Sequence, residues 1–125
     1  MTQSGSCLCG AVSYEIAGPM RGSWACHCSQ CRKTSGHYYS ATQVDDADLR
    51  VHDPEGALTW FRSSDTAERG FCNRCGSSLF WKPDDRARTS IGSGTLGLPT
   101  GLVTEKHICV EDKGDYYVIP EAEMG

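Results

Sequence analysis

Residues 71–77 read FCNRCGS, from Phe71 through Cys72 and Cys75 to Gly76 and Ser77. Two thiols three positions apart, closed by a glycine, have the shape of a metal knuckle, a tight turn whose backbone amides point at sulfur. A closed tetrahedral zinc site takes four protein ligands, so this pair supplies only half of one. The chain holds one other pair followed by glycine, Cys7-x-Cys9 before Gly10. Joining pairs so far apart would stitch the beginning of the chain to its middle. Cys7, Cys9, Cys72 and Cys75 are therefore the natural ligands of a structural zinc.

That assignment leaves four of the eight cysteines. Three of them fall in CHCSQC, residues 26–31, as Cys26, Cys28 and Cys31; Cys109 stands alone in an apolar stretch. Three protein ligands plus an open position is the usual construction of a catalytic zinc site. Spacing alone also permits a closed second site, with Cys109 or His107 folding back as the fourth ligand. His27 is less suited, because in an extended segment its side chain points away from its cysteine neighbours. Two readings stand at this point: a reactive zinc, or a two-zinc scaffold that binds a protein or small ligand without chemistry.

Metal is preferred to disulfides on compartment as well as spacing. The N-terminal residues MTQSGSCLCG have neither a basic region nor an apolar stretch, so they do not read as a signal peptide. No segment approaches the ~18 apolar residues of a membrane span. A cytoplasmic location follows as the expectation, and there cysteines of this density bind metal. The formal net charge is −4, from 12 Lys and Arg against 16 Asp and Glu, before any thiolate is counted. Phosphate-backbone binding depends on accumulated cations, so nucleic acid is not an expected partner. The length and composition read as one domain over residues 1–125.

Alternation of apolar and polar residues predicts short strands. The first is 11–17, where Val12, Tyr14 and Ile16 alternate with Ser13 and Glu15. SWACHC (23–28) leads into the Cys-rich turn, and further strands are read at 37–44, 49–52, 57–63, 68–72, 76–82 and 87–93, with the turn Asp53-Pro54-Glu55-Gly56 between two of them. The stretches 105–111 and 115–120 read as a final pair of strands around Asp112-Lys113-Gly114. Residues 29–36 hold one short helical turn, and no longer apolar stripe of helical period exists. Trp60, Phe61, Phe71, Phe80 and Trp81 are read as core, and Asp45, Asp46 and Asp48 as a solvated loop. The expected class is mainly β.

Taken together, CLCGAVSYEI (7–16), CHCSQCRKTSG (26–36) and LTWFRSSDTAERGFCNRCGSSLFW (58–81) resemble the glutathione-dependent formaldehyde-activating enzyme family. This family also includes the centromere protein V-type proteins. IGSGTL and EKHICVEDKGDYYVIP look like its later strands, so the resemblance spans about residues 5–120. It implies an Mss4-like fold of several short antiparallel β-sheets around a rubredoxin-like zinc knuckle. It implies two Zn2+ per chain: a structural ion on Cys7, Cys9, Cys72 and Cys75, and a catalytic one on Cys26, Cys28 and Cys31. The implied activity is that of a carbon–sulfur lyase joining formaldehyde to glutathione as S-hydroxymethylglutathione, with a small-molecule thiol and an aldehyde as partners. Cys109 is a departure, since many members have an aromatic residue there. It reads as a small buried hydrophobe, or as a redox thiol like that of the methionine-R-sulfoxide reductases, which share the broad fold.

The chemistry suits the ligands. Three thiolates make zinc an electron-rich centre, better at exchanging a fourth sulfur than at acidifying water. A deaminase would need a glutamate beside the ligands, and none stands there. Nor is there an H-E-x-x-H protease motif. His27 is read as a proton relay or as a surface or supporting imidazole, and Arg32 and Lys33 as carboxylate ligands of a glutathione-like peptide or as solvated bases.

Overall fold

The computed structural model describes residues 2–123. Ten strands and one α-helix follow the chain: β1 (Gln3–Ser6), β2 (Ser13–Ile16), β3 (Ser23–Cys26), α1 (Ser29–Ser35), β4 (Tyr39–Asp45), β5 (Leu49–His52), β6 (Leu58–Arg62), β7 (Ala67–Cys72), β8 (Ser78–Pro83), β9 (Arg88–Gly92) and β10 (Thr104–Ile108). They make a three-stranded sheet, β1-β2-β5, and a seven-stranded sheet, β10-β3-β4-β9-β8-β7-β6. The mainly β expectation holds. One detail differs from the antiparallel sheets expected: β10 runs parallel to β3 at one edge of the larger sheet.

The core follows from strand alternation. Val12, Tyr14 and Ile16 turn inward from β2 and its approach, and pack with Val44, Leu79, Phe80 and Ile91 of the large sheet. Tyr14 meets Phe80 edge to face at 5.6 Å, and its hydroxyl donates to Thr95 Oγ1 at 2.6 Å. Thr95 in turn donates to the Gly92 carbonyl, so the small sheet is pinned to the end of β9. Burial raises the Tyr14 phenol to about 12, which keeps it a donor at neutral pH.

Asp53 organises the turn that precedes β6. Its two carboxylate oxygens accept from the amides of Ala57 (2.7 Å) and Leu58 (3.0 Å), and the Ala57 carbonyl accepts from Asn73 in the knuckle. Asp53→Ala should therefore destabilise the protein by about 2 kcal/mol, the range for a charge-assisted hydrogen bond. Urea unfolding reads this directly; a loss below about 0.5 kcal/mol would mean the turn holds without its side chain.

Other expectations are corrected. β1 has no apolar alternation and was not predicted; it is placed by backbone pairing with β2, Gln3 opposite Ile16. The strand read at 105–111 ends at Ile108, and 115–120 is not a strand. Side chains hold that last segment instead: the Lys113 ammonium donates to the Tyr117 carbonyl at 2.6 Å. Trp60 and Phe61 lie on edge strand β6 and are 41% and 61% exposed, so neither belongs to the core. The single helical turn is a seven-residue helix.

Candidate functional site

The first thiol cluster brings Cys7, Cys9, Cys72 and Cys75 together with all four sulfurs within 4.8 Å of one another. Cys7–Cys9 and Cys9–Cys72 are each 3.7 Å apart. Four sulfurs at 2.3 Å from a tetrahedral zinc lie about 3.8 Å from each other, so the donor set fits that ion. Amides point at sulfur as the sequence predicts, Val12 at Cys7 and Arg74 at Cys72, both at 3.4 Å. Gly10 (φ +82°) and Gly76 (φ +80°) close the two turns in the left-handed region, where a side chain would be strained. Ser77 links the halves: its hydroxyl donates to Cys75 and accepts from the Leu8 amide. That hydroxyl, with nearby amides, draws Cys75 down to about 5.

The second cluster lies at the junction of β3 and α1. Cys26 ends β3, Cys28 caps the helix by accepting from the Cys31 amide at 3.4 Å, and Cys31 is in the first turn. Their three sulfurs also lie within 4.8 Å of one another. Arg69, from β7, donates through Nη2 to Cys31 Sγ at 3.5 Å. Cys31 is drawn down first by the Cys26 thiol and then by Arg69, while Cys26 is driven up by Cys31 and by burial. Negative charge thus settles on Cys31, beside the guanidinium.

Neither sequence-proposed fourth ligand belongs to this group. His107 spends both ring nitrogens elsewhere, on His27 and Glu123. Cys109 lies beyond the end of β10, half-buried and at φ +56°, not within an apolar strand. Burial and the nearby Cys26 thiol push it up to about 11, which makes it a poor nucleophile at neutral pH.

His27 points to the opposite side of β3 from the thiols and is fully buried, so it is not a surface imidazole. It hydrogen-bonds Tyr117 through Nδ1 and His107 through Nε2 (2.9 Å). Because His107 Nε2–H must donate to the Glu123 carboxylate (3.2 Å), the other protons follow. His27 Nε2–H donates to His107 Nδ1, and the Tyr117 hydroxyl donates to His27 Nδ1. The chain runs one way, and burial, then His107, lowers His27 below the ordinary imidazole range. It fastens the C-terminal segment behind the cluster. His27→Ala would leave the half-buried Tyr117 hydroxyl and the His107 ring without their partner and should cost about 3 kcal/mol. A denaturation midpoint unchanged from the parent would disprove that role.

In front of the cluster opens a cleft of about 370 Å³. Arg21, Arg69 and Arg86 line it, with Trp24, Trp81 and Gln43 among its walls and no acidic residue among them. In a chain of net charge −4 this is a local reversal of sign. Arg21 lies 3.8 Å over the Trp24 ring and donates to the Ala41 carbonyl, so its position is fixed. Arg32 and Lys33, the bases singled out in the sequence, do not line the cleft, and Trp81 does so instead of sitting in the core. The three arginines come from distant segments, and nothing local in the sequence marks them.

Residues 2–112 match the family described as glutathione-dependent formaldehyde-activating enzyme. A Halomonas elongata protein, provisionally named as such an enzyme, is 33% identical over 134 residues, covering 99% of this chain and 85% of its own. The crystal structure of a Rhodobacter sphaeroides protein superposes with a TM-score of 0.64 at 25% identity, over 80% of this chain and 90% of that one. Among the described residues no helix is long and apolar enough to cross a membrane. On the match to residues 2–112 and the near full-length relative, the chain belongs to the glutathione-dependent formaldehyde-activating enzyme family.

Proposed function

We propose that this chain, as one cytoplasmic domain, binds two zinc ions and makes or breaks the carbon–sulfur bond between formaldehyde and a glutathione-type thiol. Cys7, Cys9, Cys72 and Cys75 would hold a structural ion, and Cys26, Cys28 and Cys31 a reactive one. The observation that carries this reading is a three-thiol cluster at the end of an acid-free, arginine-lined cleft. When bound there, zinc would keep the substrate thiol in its nucleophilic thiolate form.

The protein's own residues supply the rest. Glutathione carries two carboxylates and a peptide backbone. Arg21 and Arg86 offer charge for the carboxylates, Gln43 offers an amide, and the tryptophans offer apolar walls. The sulfur lone pair forms the C–S bond, the carbonyl π pair moves to oxygen, and that oxygen takes a proton from water. The reverse sequence releases formaldehyde.

Metal analysis combined with exchange spectroscopy of formaldehyde and glutathione tests the proposal. Two zinc ions per chain and accelerated adduct exchange are expected. Two ions without exchange for any thiol would instead favour a zinc scaffold, whose docking face would be the exposed Trp60 and Phe61 of β6. One ion per chain, with Cys26, Cys28 and Cys31 free, sinks the reactive site altogether.

A further inference from the structure

Arg69 differs from the other arginines of the cleft in what it touches. Arg21 donates to the Gly22 and Ala41 carbonyls and stacks on Trp24, and Arg86 pairs with Asp85. Among the described residues Arg69 donates only to Cys31 Sγ, and its Nε–H is buried with no partner. Among the described residues no carboxylate pairs with it: Glu68, its neighbour on β7, turns to Arg62 instead. The guanidinium lies over the buried Tyr39 ring, 5.8 Å from its centre. A cation with one corner on a cluster sulfur has its remaining N–H groups beside any ligand bound at that cluster. Those groups form a planar fork that suits an anionic oxygen.

We propose that Arg69 forms an oxyanion pocket beside the thiol position and is thereby a catalytic residue of the reaction proposed above, on which this role rests. As the thiolate attacks formaldehyde, the C–S bond forms and the displaced π pair leaves negative charge on oxygen one atom from sulfur. Arg69 holds that charge by hydrogen bonding and keeps its own proton; water then supplies the proton that makes the hydroxymethyl group. In the reverse direction the same contact stabilises the alkoxide as the C–S bond breaks. A donor fixed in advance on developing charge acts on the transition state more than on the bound thiol.

The test uses the zinc-loaded full chain and its R69K and R69Q variants, with R50Q, an exposed arginine on β5 outside the cleft, as the control, each assayed first for zinc content. R69Q should lower kcat for adduct exchange about 100-fold, with the KM for glutathione within about twofold of the parent. R69K, which keeps the charge but loses the fork, should fall between. An R69Q effect on KM alone overturns the catalytic role and makes Arg69 a carboxylate anchor. A second arm needs no formaldehyde: calorimetric binding of mercaptoacetate against 2-mercaptoethanol, two small thiols of which only the first has an anionic oxygen near sulfur. The parent and R50Q should prefer mercaptoacetate by about tenfold or more, and R69K and R69Q progressively lose that preference. No preference in the parent, or one that survives in R69Q, overturns the pocket. A parent that exchanges no formaldehyde yet has an Arg69-dependent preference sinks the reaction and leaves the oxygen site standing.

Discussion

Cys72→Ser should leave the chain largely unfolded, carrying at most one zinc ion where the parent is expected to carry two. Cys72 ends β7, is fully buried, and sits in the one cluster that joins residues near the N-terminus to the middle of the chain. Without a fourth sulfur, the turn at 7–12 and the knuckle at 72–77 lose their common anchor. Structural zinc sites in small folds contribute an apparent ~10–16 kcal/mol, while a domain of this size has a total stability of only ~5–15 kcal/mol. Loss of most of that contribution is as large as the whole stability of the domain. Circular dichroism, amide dispersion and metal content together report the result. A Cys72→Ser protein that unfolds cooperatively near the parental midpoint, with two zinc ions bound, would show that this cluster is not the staple of the fold.

That prediction rests on features the sequence displays openly. Each cysteine pair precedes a glycine, and both glycines adopt the left-handed conformation that the turns need. The alternation in 11–17 puts Val12, Tyr14 and Ile16 into the core, because a strand with one buried face must repeat every second residue. Where side chains do not choose the partner, the sequence is silent. β1 has no apolar face and depends on main-chain hydrogen bonds to β2. The opposite failure occurs at 115–120, whose aromatic and β-branched residues imitate a strand. There Tyr117 is taken up by His27, and the segment is held by side chains in place of a ladder.

The site divides along the same line. Metal ligands must be close in sequence to make a tight turn, so their spacing is legible. The cleft in front of the second cluster gathers Arg21 before β3, Arg69 in β7 and Arg86 before β9, and only the strand order brings them together. Adjacent Arg32 and Lys33 made a more visible pair in the sequence and lie outside it. His27 carries a similar lesson. Its place between two cysteines drew attention to chemistry at the thiols, but strand geometry turns it to the other face, where it ties down the C-terminal segment.

Cys28→Ser should do the reverse of Cys72→Ser: abolish formaldehyde–thiol exchange down to the uncatalysed rate while the fold survives. The three cysteines of the second cluster come from one short stretch, the end of β3, the N-cap of α1 and its first turn, already placed by β3's pairing with β4 and β10. Cys28 is only half-buried, and its fold-level duty is to cap α1 by accepting from the Cys31 amide. Serine performs that duty well, being among the preferred N-cap residues. The thermal midpoint should therefore move by only a few degrees, corresponding to less than about 1 kcal/mol. Zinc at Cys26 and Cys31 alone would be left with two thiolates and should pass readily to a chelator, while the ion at Cys7, Cys9, Cys72 and Cys75 stays bound. The contrast between the two serine variants is the decisive comparison. If Cys28→Ser unfolds as completely as Cys72→Ser, both clusters are staples, the cleft has no reactive metal at its end, and the scaffold reading takes its place.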